Sequence, residues 1–140
     1  MFKITQLTDY SLLILSLMSE SPFRLYSASK LAEMTHLNLP TVARLLKNLS
    51  KQNFLQAHRG VKGGYSLKQK TEQLSLAKVL EALEGPIALT RCQLGDKFCT
   101  LAPSCQTKSP WQKINQQIVG LLNQTKLSDL SPSHYKRSML

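Results

Sequence analysis

The stretch from residue 38 to residue 68 constrains the fold more than any other part of the chain. Val42, Leu45, Leu46 and Leu49 fall at i, i+3, i+4 and i+7, which places one apolar stripe along a helix. Asn38 supplies a side-chain oxygen for the free N–H groups at the helix start. Pro40 is tolerated in the first turn because an N–H there has no intrahelical partner. The pattern predicts a helix over about 39–52, with Thr41, Arg44, Lys47, Asn48 and Lys51 on its polar face. The period then changes. Residues 54–59 read as a strand, Gly60-Val61-Lys62-Gly63-Gly64 as a turn, and residues 65–68 as the return strand.

The preceding segment completes a motif. Ser27 can cap a helix over 28–35, with Leu31 and Met34 facing inward, and His36-Leu37-Asn38 forms a short turn. Two helices joined by a tight turn, followed by a basic hairpin, predict a winged helix-turn-helix. In the wing, Gly60, Gly63 and Gly64 permit positive φ and close backbone approach to phosphates. Arg59 and Lys62 supply charge, and Tyr65 begins the return strand.

Further helices are predicted over 9–19, capped by Thr8 and ended by Ser21-Pro22, and over 76–84, capped by Ser75 and stopped by Gly85-Pro86. A last helix over 110–126, capped by Ser109, carries Trp111, Ile114, Ile118, Leu121 and Leu122. These steps near 3 and 4 resemble a coiled-coil seam and predict a homodimer. The expected fold is therefore mostly α with a small β-hairpin wing and a long C-terminal dimerisation helix. Its expected parts are a winged helix-turn-helix over 1–85, a cysteine-bearing loop over 86–109, the dimerisation helix over 110–130 and a flexible tail over 131–140.

Charge sharpens this picture. Residues 1–70 hold ten basic and three acidic residues, net +7, against eight and five, net +3, in residues 71–140. No acid lies between Glu33 and Glu72, whereas Arg44, Lys47, Lys51, Arg59, Lys62, Lys68 and Lys70 do. Such a segment favours a polyanion. The expected partner is double-stranded DNA. Arg44 is placed to contact guanine, Lys47 and Lys51 to hold phosphates, and Arg59 to enter a narrow minor groove. No apolar run nears the roughly 20 residues of a membrane span, and the N-terminus lacks the pattern of a secretion signal, so a cytoplasmic protein is expected. An enzyme is not expected. The three histidines, His36, His58 and His134, fall in turn, strand and tail, and RGVKGGY lacks the ending of a phosphate loop.

All three cysteines fall in the loop, spaced Cys92-x6-Cys99-x5-Cys105. This is not the short Cys-x2-Cys pair of most structural zinc sites. Thiolates select iron–sulfur, zinc or copper(I), and a thiol redox switch is an alternative use of the same residues.

Several segments resemble the Rrf2 family of winged-helix regulators, which includes the IscR- and NsrR-like proteins. They are LTDYSLLIL at 7–15, LPTVARLLKNL at 39–49, RGVKGGYSL at 59–67, LEALEGPIALTRC at 80–92 and WQKIN at 111–115. The ALEGPIALT stretch and the first cysteine gap are most similar to regulators of SUF iron–sulfur assembly. The resemblance implies a dimer that binds a palindromic or pseudo-palindromic promoter site. It also implies an iron–sulfur cluster, two-iron or four-iron, one per subunit, on Cys92, Cys99 and Cys105. Cluster occupancy would then control DNA binding, making the chain a repressor of SUF genes or a nitric-oxide-responsive repressor. IscR-like proteins carry a His at the position of Lys108, and a protonated lysine cannot ligate iron. The NsrR-like pattern implies Asp9 of the partner subunit as a fourth ligand.

Overall fold

The computed structural model describes residues 3–133. Helices α1 (Gln6–Ser19), α2 (Ala28–Thr35) and α3 (Leu39–Lys51) are followed by strands β1 (Leu55–His58) and β2 (Gly64–Leu67), then by α4 (Leu76–Glu84) and α5 (Lys108–Gln124). The architecture is the expected winged helix-turn-helix, mostly α with one antiparallel hairpin. No helix among the described residues is long and apolar enough to cross a membrane.

The stripe of α3 explains the core. Val42, Leu46 and Leu49 are wholly buried and Leu45 nearly so, against Ile14, Leu15 and Met18 of α1 and Leu31 of α2. Ser27 and Asn38 cap α2 and α3 by accepting from the N–H groups of Lys30 and Thr41 at 3.1 and 2.9 Å. His36 takes a left-handed backbone, φ 57°, which turns the chain between the two helices. Met34 is more than one-third exposed, so α2 contributes mainly Leu31 to the core.

The ends of two helices differ from expectation. Helix α1 begins at Gln6, not near residue 9, because Thr5 rather than Thr8 is its cap. Thr5 Oγ1 accepts from the Thr8 N–H at 3.3 Å, and Glu84 fixes Thr5 from outside the helix. Helix α5 begins at Lys108 and ends at Gln124 rather than spanning 110–126. Ser109 lies inside it, and Thr107 at its start makes no side-chain cap bond.

Two contacts that periodicity did not announce hold the wing and the C-terminus. Tyr26 and Tyr65 exchange backbone hydrogen bonds of 2.9 and 2.8 Å, so the hairpin gains a third short partner ahead of α2. After α5, the chain returns along the start of α4 through Leu76 N–H to Thr125 C=O and Leu127 N–H to Leu74 C=O, at 2.8 and 2.9 Å. Leu127 is wholly buried in the same core, and Val119 packs against it.

Candidate nucleic-acid interface and cysteine loop

Burying the α3 stripe forces the opposite face outward. Arg44, Lys47, Asn48 and Lys51 are exposed and Thr41 is half-buried. Arg44, Lys47, Asn48 and Lys51 border a cleft of about 540 Å³ that is closed on its other side by the first turns of α1 and by Glu84 at the end of α4. Arg59 and Lys62 are exposed on the wing. Ion pairs among the described residues join Lys30 to Glu33 and Lys108 to Asp96, so the cations of α3 and the wing tip are left without an acidic partner. Lys68 is engaged differently, donating to Asn53 Oδ1 at 3.0 Å.

The wing turn is built by glycine. The Gly63 N–H donates to the Gly60 carbonyl at 3.0 Å, closing a four-residue turn. Gly60 has φ 107°. A Cβ on Gly63 would lie 2.1 Å from the His58 carbonyl oxygen, and one on Gly64 2.7 Å from that of Tyr26. The structure thus gathers the predicted α3 and wing residues on two neighbouring projections. Tyr65 is half-buried, and its backbone anchors the wing to Tyr26.

The cysteine loop is more ordered than its weak periodicity suggested. It contains short 3-10 turns at Arg91–Leu94 and Asp96–Phe98. Cys92 lies in the first, Cys99 follows the second, and Cys105 precedes α5. All three are free thiols, half-buried. Cys92 Sγ lies 3.1 Å from Thr90 Oγ1, and Cys105 Sγ lies 3.3 Å from Thr107 Oγ1. The Thr107 hydroxyl is the main reason the Cys105 thiol sits below the usual thiol range, and the Lys108 charge adds to it. Lys108 donates to Asp96 at 2.7 Å, and this contact chiefly holds its ammonium charged. Among the described residues, no three His, Cys, Asp or Glu side chains are gathered closely enough to hold a metal ion. The donor chemistry nevertheless suits a soft metal centre, with three thiols on one loop and the Lys108 cation beside Cys105. Asp9 is exposed in the first turn of α1, where it also meets the helix dipole favourably. His134 lies outside the described residues.

Two residues that motif reading missed fix the loop and the helix end from which it departs. Asn115, on the inward face of α5, donates to the Ile87 carbonyl at 3.1 Å and accepts from the Leu89 N–H at 3.0 Å. Glu84 accepts from both the N–H and the hydroxyl of Thr5, at 2.9 and 2.6 Å. A polar residue on the apolar face of α5 was the available signal for Asn115. Nothing local marked Glu84.

On α5, Trp111, Ile114 and Leu121 are 41, 41 and 64% exposed, an apolar row left open by the described residues. Ile118 is half-buried. Leu122 instead packs on the chain's own core, because at helical spacing it falls on the same side as Asn115 and Val119.

A family model described as Rrf2, iron-dependent transcriptional regulator, matches residues 4–133. An HTH-type transcriptional regulator of Synechocystis sp. is 33% identical over 129 residues, covering 91% of this chain and 86% of the relative. Another from Haemophilus influenzae is 30% identical over 104 residues, covering 74% and 69%. Among solved structures, CymR, the global cysteine regulator of B. subtilis, has a TM-score of 0.74 at 21% identity, covering 94% of this chain and 97% of CymR. IscR of T. potens has a TM-score of 0.70 at 19% identity, covering 99% and 89%. At these identities, CymR and IscR show a shared fold. The relatives are transcriptional regulators, not enzymes. This chain belongs to the Rrf2 family of winged-helix, DNA-binding transcriptional regulators.

Proposed function

We propose that the chain is a cytoplasmic, homodimeric repressor of iron–sulfur cluster assembly (SUF) genes that senses cluster supply through its cysteine loop. The observation that carries this reading is the position of the loop. It leaves the reading head at Glu84, is clamped by Asn115, and enters α5, whose exposed row is the candidate dimer face. Whatever orders the loop therefore acts between two surfaces. In this reading residues 1–85 form the reading head, 86–109 the sensing loop and 110–130 the dimer element.

On the DNA side, Arg44 and Asn48 read base edges while Thr41, Lys47 and Lys51 fix phosphates, with α3 in the major groove. Arg59, Gly60, Lys62, Gly63, Gly64 and Tyr65 form the wing that lies along the adjacent backbone and minor groove. Trp111, Ile114, Ile118 and Leu121 pair with their copies, which sets two heads on a palindromic or pseudo-palindromic site. Cys92, Cys99 and Cys105 would hold the iron–sulfur group as thiolates, with Asp9 of the partner subunit as candidate fourth ligand. When bound, such a group supplies a centre whose loss under oxidation or scarcity releases three ligands at once. Lys108 places a favourable charge beside Cys105, and Asp96 orients Lys108.

Iron and acid-labile sulfide per chain, measured on anaerobically purified protein, test this. Near-equal iron and sulfide, at about two or four per chain, are expected. Changing Cys92, Cys99 or Cys105 to Ala should remove the visible chromophore and leave a folded dimer. A second reading is favoured by the separation of the sulfurs and by the lowered pKa of Cys105: a thiol switch, with Cys105 as the reactive member. Zinc, or no metal under loading conditions, together with rapid alkylation of Cys105, would select it.

A further inference from the structure

We infer that Val61 is a sequence-reading residue, an apolar wing tip that enters the minor groove and favours A·T over G·C pairs there. This rests on the DNA-binding reading of the wing given above. Val61 is fully exposed, at 108% of the reference accessibility, the most exposed large hydrophobic side chain among the described residues. It occupies a corner of the turn closed by Gly63 N–H and Gly60 C=O. Gly60 and Gly63 have no side chain to screen it, and the neighbouring side chains, Arg59 and Lys62, are exposed cations.

The turn is held in place. Its stem is the paired register His58 with Gly64 and Ala57 with Tyr65, and Tyr26 pins the return strand from the other side. At its base the backbone is closely packed, since a side chain at Gly63 would meet His58 and one at Gly64 would meet Tyr26. The protein thus presents a β-branched hydrocarbon between two positive charges. The minor groove matches that combination, with phosphates along its rims and sugar walls inside.

The preference follows from the groove floor. An A·T pair offers acceptors either side of an apolar adenine C2–H, whereas a G·C pair adds the guanine N2 amino donor at the centre. An isopropyl group has no acceptor. Pressed against guanine, it would strip water from that amino group and return no hydrogen bond. Arg59 selects narrow A·T-rich grooves through potential. Val61 selects through the missing acceptor, so the two effects separate experimentally.

The experiment starts with selection of binding sites from a random duplex pool by the full chain. The wild type should enrich A·T pairs at positions flanking the major-groove contacts. Affinity is then measured with one flanking pair changed to G·C, and with the same pair as inosine·C, which lacks the amino group. The wild type should lose about fivefold or more with G·C, at the low end of the effect of one base-pair change, and recover with inosine. Val61→Thr keeps the shape and adds a hydroxyl acceptor, so its G·C loss should shrink to within about twofold. The tip faces solvent, and a second variant, Val61→Ala, controls for side-chain volume by keeping the inosine recovery. Equal G·C-to-inosine ratios for wild type and Val61→Thr overturn the assignment and leave DNA binding intact. A uniform affinity loss in both variants, without change in that ratio, also overturns it in favour of a sequence-blind sugar contact. Failure of the wild type to retain any duplex overturns both this inference and the reading on which it rests.

Discussion

Gly60 and Gly63 close one turn, yet substitution at each meets a different obstacle. At Gly60 a Cβ would enter open space, and the obstacle is the backbone, φ 107°. Gly60→Ala should therefore cost about 1–2 kcal/mol of local strain and leave the wing in place. At Gly63 the new atom would meet three backbone atoms, the nearest 2.1 Å away, and no rotamer relieves it. Gly63→Ala should open the hairpin and cut DNA affinity far more than Gly60→Ala, while helix content by circular dichroism stays unchanged because the core lies elsewhere. Equal DNA affinities for the two variants would show that wing geometry does not matter to binding. The residue scale also shows the limit of pattern reading. Thr5 and Thr8 stand three apart and offer the same capping chemistry, so the choice between them depended on Glu84, distant in sequence. The α3 stripe had no such rival, and all four of its residues are buried as expected.

At the scale of elements, the informative contacts lie where α4 stops. Gly85, φ 90°, breaks the helix, and the residues on either side are tied in opposite directions, Glu84 to α1 and Ile87 with Leu89 to α5. Asn115→Ala leaves a carbonyl and an N–H unpaired, each worth about 1–3 kcal/mol if buried. It should lower the melting temperature and speed hydrogen exchange at the Leu89 amide. Asn115→Asp should keep the bond from Leu89 and lose the one to Ile87, so exchange at Leu89 should rise less than in the Ala variant. Glu84 makes a pH prediction. The Thr5 hydroxyl, then that of Thr8 and the Thr5 N–H, hold its carboxyl below the usual range. A folded-state pKa below the unfolded value means the stabilisation is fully present above the unfolded pKa and is lost as pH falls through the folded one. Glu84→Gln should therefore lower stability most at neutral pH and least in acid, which flattens the acid limb of the stability curve. An unchanged acid limb would mean that the contact contributes nothing to folding. These ties were not legible in the sequence. The α5 seam was legible in its spacing, but Leu122 could face either a partner or its own core, and only the return of the chain at Leu127 decides that.

At the scale of the whole molecule, the question is whether two basic faces act together. One chain presents Arg44, Lys47, Lys51, Arg59 and Lys62 on α3 and the wing, without acidic partners among the described residues. If about four of them neutralise phosphates, a single head gives a slope of log K against log salt of about −3.6, and a dimer gives about −7. The exposed row on α5 supplies the means of separating the heads. Leu121, 64% exposed, lies outside the chain's core, so Leu121→Asp should leave the head folded and place a charge in the apolar interface. The expected outcome is a monomer by sedimentation, unchanged helix content, and a salt slope close to half that of the wild type. Sequence preference within one half-site should persist, because Arg44 and Asn48 belong to the head alone. A dimer that survives Leu121→Asp with its full slope would move the interface away from α5. A monomer that keeps the full slope would mean that one head already spans the site, and the palindromic reading would fall with it.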